Sequence, residues 1–235
     1  MSTPPLKRWD TTIVLGIVLL WLAATAWMRP LMHPDEGRYA TVAWEMLRSG
    51  DWLTPTLNGM PFFHKPPLFY WITAAALWLL GPIEIAARTA SLLGASLGAL
   101  GLYLFTRRWC GLLLARRSLL VLLVLPMYFA AAQFANLDML VAGCIMATIL
   151  ALAHVALCFE QGLGYRRMLW LAYALAGLGL LAKGLIGFVI PAMVIGLWLL
   201  LRWRWRTLWA LVSVPGFMLL LAITAPWFIA MQQRF

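Results

Sequence analysis

A short polar stretch, His33-Pro34-Asp35-Glu36-Gly37-Arg38-Tyr39, follows directly on the first long apolar run of the chain. Two adjacent carboxylates, a guanidinium and a phenol are costly to hold beside hydrocarbon, which makes such a set a candidate functional site. Three further polar groups interrupt apolar sequence: His64-Lys65 ahead of Pro66-Pro67, Asp138 in Asn136-Leu137-Asp138-Met139, and Lys183-Gly184 inside the stretch 168–201. A carboxylate of this kind can take a proton, and Arg and Lys can hold an anion such as a phosphate. Each residue also has an ordinary reading. Asp35-Glu36 suits a helix start favoured by the macrodipole, Asp138 a turn and helix cap, Lys183 a solvated loop, and His64-Lys65 a basic pair near anionic headgroups.

The elements that must position these residues lie in a membrane. Of the 235 residues, 64% are hydrophobic and 11% charged, with a mean hydropathy of +0.87, whereas a soluble globule is about 45–50% apolar. The run 11–28 is long enough to span and is preceded by Lys7 and Arg8; no small-residue cleavage site follows before Arg29, so it reads as a retained first transmembrane helix. The net charge of +10 sits in short clusters between apolar runs. That is topology information, and no nucleic-acid partner is expected. Cys110, Cys144 and Cys158 stand apart, without CxxC spacing, which points to packing and to neither a zinc site nor a disulfide framework.

Hydropathy yields eight apolar segments, about 11–29, 66–81, 86–106, 118–135, 138–158, 168–183, 185–201 and 207–229. Eight crossings from an inner amino terminus would put Arg107, Arg108, Arg116, Arg117, Arg202, Arg204 and Arg206 outside, against the positive-inside tendency. Segment 66–81 is the one to exclude, because 66–80 reaches only ~22 Å as a helix against a ~30 Å hydrocarbon core. With 66–81 in the interface, seven spans remain. Net charge is then +9 inside and +1 outside. The same assignment brings Asp35, His64, Lys65, Asp138 and Lys183 to one face of the membrane.

Within the outer loop, Tyr39, Val42, Ala43, Met46 and Leu47 recur at i, i+3, i+4, i+7 and i+8, the pattern of an amphipathic surface helix. Asp35 is its expected N-cap and Gly50 its stop, with Trp44 and Trp52 at headgroup level. Glu45, on this helix, is expected to tolerate replacement by Gln. Loop follows over 54–67 until Pro66-Pro67 opens a second interfacial helix. The expected fold is therefore an all-α polytopic bundle of about seven transmembrane helices, one module over 1–235, with two interfacial helices in an outer loop at 33–83.

These motifs carry a family resemblance. Asp35-Glu36-x-Arg38-Tyr39-Ala40, Ser49-Gly50-Asp51-Trp52-Leu53-Thr54-Pro55, Leu57-Asn58-Gly59, Lys65-Pro66-Pro67-Leu68-x-Tyr70-Trp71, Asn136-Leu137-Asp138, Leu181-Ala182-Lys183-Gly184-x-x-Gly187-x-x-x-Pro191 and Ala225-Pro226-Trp227 occur in this order. The set resembles the GT-C membrane glycosyltransferases, and within them the bacterial lipid A aminoarabinose transferases and protein-mannosyltransferase-type relatives. The resemblance implies a sugar donor on a polyprenyl phosphate, undecaprenyl in a bacterium, and a lipid, glycan or protein acceptor at the outer face of the inner membrane. It implies Asp35 as central catalytic carboxylate and Asp138 as a second acidic residue of the cavity. Glu36, Arg38, Tyr39, Lys65 and Lys183 would contact substrate. Where the aminoarabinose transferases have a Glu linked to a metal ion before Lys-Pro, this chain has His64, so a divalent metal would rest on one imidazole.

Family members continue beyond the position of Phe235, so the resemblance makes this chain an amino-terminal half, truncated at its carboxy end, with room for a second chain that supplies the remainder. Two rival readings stand beside the enzyme. An inactive or split paralogue would bind polyprenyl phosphate without transferring sugar. A transporter or flippase would spread its charges along a path and often show related halves, whereas these charges gather at one face.

Overall fold

The computed structural model of the protein describes residues 8–235, with side chains from Thr11 onward. Lys7 and the side chain of Arg8, named above as preceding the first apolar run, lie outside the described residues. In chain order the helices are α1 (Arg8–Ala23), α2 (Asp35–Ser49), α3 (Leu68–Leu80), α4 (Glu84–Cys110), α5 (Leu112–Val124), α6 (Pro126–Ala132), α7 (Leu137–Glu160), α8 (Arg166–Lys183), α9 (Ile186–Leu201), α10 (Trp205–Leu211) and α11 (Val214–Arg234). Two short strands, β1 (Thr56–Leu57) and β2 (Met60–Pro61), pair antiparallel, Thr56 opposite Pro61 and Leu57 opposite Met60.

A helical solution is what hydrocarbon demands, because helices satisfy their backbone polar groups internally. Among the described residues, three helices, α4, α7 and α11, are long and apolar enough to cross a membrane. The expected run 118–135 is instead a pair, α5 and α6, bent by 69°. Pro126 has no N–H to donate and disfavours helical geometry at Leu125, whose φ/ψ of −63°/119° is extended. The run 207–229 divides too, into α10 and α11, where Ser213 caps α11 by accepting from the Gly216 N–H at 3.2 Å. The segment 11–23 of α1, together with α3 and α9, is apolar but shorter.

The central helices approach closely through glycines. A Cβ placed on Gly143 of α7 would lie 1.9 Å from the Gly94 carbonyl oxygen of α4, and one on Gly187 of α9 would lie 2.2 Å from the Gly179 carbonyl carbon of α8. Small residues are what allow helix backbones to meet in a membrane, where no hydrophobic drive separates lipid from side chain. The amino-terminal parts of α4 and α7 and the carboxy-terminal part of α8 are thereby held together, and they carry Arg88, Asp138 and Lys183.

Two expected caps move by a residue or two. Helix α2 begins at Asp35, with Pro34 at the cap position and no capping side chain, so Asp35 is the first helical residue. Asn136 caps α7, its side-chain oxygen accepting from the Met139 N–H at 3.2 Å, so that Asp138 sits in the first turn without the capping role. Gly50 ends α2 as expected, at φ 72° with its N–H on the Met46 carbonyl. The stripe Val42, Ala43 and Met46 is buried, while Trp44 and Trp52 are exposed.

Candidate active site

The adjacent carboxylates of Asp35 and Glu36 enter different surroundings. Successive helical positions differ by about 100° around the axis, which is enough to put one in solvent and one in the interior. The Asp35 side chain is 46% exposed and pairs with Arg38 one turn on, itself 38% exposed. Glu36 is wholly buried.

Glu36 is the hub of a charged network. Its Oε1 accepts from Arg88 Nε and from the Ala135 N–H, both at 2.8 Å; its Oε2 accepts from Arg29 Nη1 at 2.7 Å and from Arg88 Nη2 and the Met32 N–H, both at 2.9 Å. Arg88, also wholly buried, spends its remaining donors on the carbonyls of Ala26, Arg29 and Pro30. Burial alone would raise the Glu36 carboxyl, but the hydrogen bonds from Arg88, Ala135, Met32 and Arg29 outweigh it and hold the group at about 2. The network ties the start of α2 to α4, to the chain after α1 and to the segment before α7. Neither Glu36 oxygen is left exposed.

Around this hub the expected site residues fall into two groups. The Arg38 guanidinium lies 5.2 Å from the centre of the Tyr39 ring. Tyr39 meets Phe69 edge-on at 5.8 Å and Tyr70 at 6.3 Å, and packs on a buried cluster that includes Ala135, Leu137 and Ala182. Ala135, Leu137 and Ala182 flank the second ion pair, Lys183 with Asp138, which joins side chains 45 residues apart in sequence. Asp138 is 65% exposed and Lys183 29%. Thus the Asp35–Arg38 pair adjoins this cluster through Tyr39, and the Asp138–Lys183 pair adjoins it through Leu137 and Ala182, their neighbours in sequence.

His64 and Lys65 lie on a neighbouring wall. They line a cavity of about 470 Å³ with Trp227, Met231 and Gln232 of α11. Phe62 joins the two groups, since it packs against the Tyr39 cluster and stacks on the His64 ring at 4.5 Å. Among the described residues no three of His, Cys, Asp and Glu come close enough to hold a metal ion. His64 therefore belongs to no set of three such ligands, the fewest a zinc site takes from the protein.

Two residues of this network, Arg88 and Arg29, are not singled out by the motifs of the sequence. The available signal was a single Arg inside the apolar segment 86–106. An ionised group there needs a buried partner, and Glu36 is that partner.

The arrangement as a whole can hold an anion on Arg38, Lys183 and Lys65 and offers two exposed carboxylates for proton transfer. The solved structure of ArnT from Cupriavidus metallidurans bound to undecaprenyl phosphate has the same fold over 98% of this chain and 42% of its own, with TM-score 0.84 and 34% identity. Its apo form gives 0.82 and 35%. An undecaprenyl phosphate-alpha-4-amino-4-deoxy-L-arabinose arabinosyl transferase of Sodalis glossinidius is 35% identical over 87% of this chain and 37% of its own length. One from Pseudomonas fluorescens is 30% identical over 96% and 41%. The chain thus spans about two fifths of these relatives, whose remaining length belongs to the same polypeptide; this gives no support to a separate second chain. Residues 64–229 match the family model described as dolichyl-phosphate-mannose-protein mannosyltransferase, and the chain belongs to that family.

Proposed function

We propose that this protein transfers a sugar from a polyprenyl-phosphate donor, of the undecaprenyl type, to a lipid A-like acceptor at the outer face of a bacterial inner membrane. The observation that carries the reading is that two exposed carboxylate–cation pairs, Asp35–Arg38 and Asp138–Lys183, adjoin one buried cluster, the first through Tyr39 and the second through Leu137 and Ala182. The acceptor oxygen attacks the anomeric carbon as the bond to the donor phosphate breaks, and the departing phosphate gathers negative charge. Arg38, Lys65 and Lys183 are preorganised to stabilise that charge. As the phosphate draws Arg38 away from Asp35, the carboxylate is left to take the proton of a hydroxyl acceptor, with Asp138 the second candidate. A phosphate acceptor is already ionised, and Asp35 would then orient it. Glu36 fixes the helix start that presents Asp35 and touches no substrate. An inactive or split paralogue is not favoured, because the similarity extends over 98% of this chain in a solved structure described as bound to undecaprenyl phosphate.

The test is lipid binding by the purified chain in nanodiscs, with polyprenol as the uncharged competitor. Losing one partner of a charge-assisted hydrogen bond costs about 1.5–3 kcal/mol, so Lys65→Ala or Lys183→Ala is expected to weaken polyprenyl phosphate binding roughly ten- to a hundredfold. Arg204→Ala, near the Glu160 carboxylate at 3.7 Å, should bind as wild type does. Equal affinity for polyprenol and its phosphate would overturn the donor site.

Seven spans with α2 and α3 in the interface complete the proposal. Helix α3 has 13 residues, ~20 Å of length, and the arginine distribution supports the count. Cys110 is exposed and Cys144 and Cys158 are buried, which makes Cys110 a native probe. An impermeant maleimide should reach Cys110 only after the membrane is opened. In a Cys110→Ser background it should label Met60→Cys from outside, at a position 69% exposed. Labelling of Cys110 in intact spheroplasts would overturn the seven-span topology.

A further inference from the structure

The outer loop closes on Glu45. Its Oε1 accepts from the Asn58 N–H at 2.7 Å, and its Oε2 from Thr56 Oγ1 at 2.8 Å and from the Gly59 N–H at 3.2 Å. These groups form the tip of the β1–β2 hairpin, where Asn58 and Gly59 have φ of 54° and 75°, the left-handed pair that Asn-Gly favours in a two-residue turn. A turn of this kind leaves both N–H groups outside the strand ladder. A hairpin of two residues per strand has too little pairing to hold itself, so its shape depends on the carboxylate that clasps it. Burial would raise Glu45, but the hydrogen bonds from Thr56, Gly59 and Asn58 hold it below the usual carboxylate value, hence ionised.

The near end of the loop is fastened separately. Asp51 Oδ1 accepts from the Leu53 N–H at 3.0 Å and the Thr54 N–H at 3.2 Å, its Oδ2 pairs with Arg234 at 2.9 Å, and Trp227 Nε1 donates to the Leu53 carbonyl at 3.0 Å. On the far side the Phe62 N–H donates to the Pro55 carbonyl at 2.8 Å, and the Phe62–His64 stack leads straight to Lys65. One end of the loop is thus pinned to α11 and the other enters α3 through the buried Pro66-Pro67, and the hairpin clasped by Glu45 is a further restraint on the chain that carries Lys65 between them.

We propose that Glu45 is a positioning residue for the donor phosphate, acting through the hairpin that places Lys65. The inference rests on the phosphate-binding reading of Lys65 given above. It also reverses the expectation that Glu45→Gln is neutral, because a neutral amide loses the charge that holds three donors and turns its N–H group toward at least one backbone N–H of the turn.

The experiment measures binding of undecaprenyl phosphate to the chain in nanodiscs, with undecaprenol as control, for wild type, Lys65→Ala, Glu45→Gln and the double variant. Glu45→Gln is expected to weaken phosphate binding roughly tenfold, to leave undecaprenol unaffected, and to add little to Lys65→Ala, since both act through one contact. Thr56→Val removes one of the three bonds and should weaken binding about threefold; it carries the test if Glu45→Gln does not fold. Wild-type affinity in Glu45→Gln, or in Thr56→Val where that variant carries the test, overturns the positioning role, as does a fully additive loss in the double variant. A wild-type chain blind to the phosphate, or Lys65→Ala binding as wild type does, instead refutes the reading on which the inference rests.

Discussion

Asp35→Asn is expected to lower sugar transfer by about a hundred- to ten-thousandfold, the range ascribed to a general base, with the protein still present in the membrane at its usual level. Asn keeps the size of the side chain and an oxygen for Arg38 while removing the group that accepts a proton. The side chain is half exposed and outside the buried network, so little stability is at stake. Transfer from a polyprenyl-phosphate donor, followed as labelled product in membranes, is the measurement. Arg48→Gln, at the far end of the same helix and over the Trp44 ring at 6.0 Å, is the matched control and should stay near wild type. Equal transfer by Asp35→Asn and wild type would sink the catalytic role and move it to Asp138.

The second large effect concerns stability. Arg88→Met should destabilise the fold by about 3–5 kcal/mol, because it leaves the Glu36 carboxylate buried without its main partner. For a chain of this length that is a fall in unfolding temperature of roughly 6–20 °C. The double variant Glu36→Gln with Arg88→Met should recover part of the loss, since no uncompensated charge remains. Acid provides a second readout of the same pair. Glu36 titrates at about 2 in the folded chain against an ordinary value of 4.5, so its contribution is fully present above 4.5 and disappears as the pH falls through about 2. Wild type should lose stability over that window by a step that Glu36→Gln lacks. An Arg88→Met protein that melts with wild type would show that the network holds nothing.

Much of the architecture was legible because membrane insertion is governed by local composition. Apolar stretches had to be helical, Gly50 had to stop α2, and the period of Tyr39, Val42, Ala43, Met46 and Leu47 implied a helix with one buried face. Errors came where local chemistry has near-equal solutions. Asp35 and Asp138 are good capping residues, but Pro34 and Asn136 hold the cap positions. Leu125-Pro126 broke a run that hydropathy alone shows as continuous.

Composition by itself determined that this is a helical membrane protein and which charged residues stand apart from the apolar runs, because hydrocarbon tolerates few exceptions and each is visible in the sequence; the glycosyltransferase family was legible only as a resemblance carried by the ordered motifs. What only the tertiary structure decided is which charge serves which purpose. Asp35 and Glu36 are neighbours of nearly the same chemistry, and Glu45 sits on the same helix. The first is exposed beside Arg38, the second is buried on Arg88, and the third clasps a hairpin 11 to 14 residues away. Their difference lies in the direction a side chain takes and the partner that waits there. Those partners come from segments as much as 99 residues distant, brought in by the packing of α2, α4 and α7.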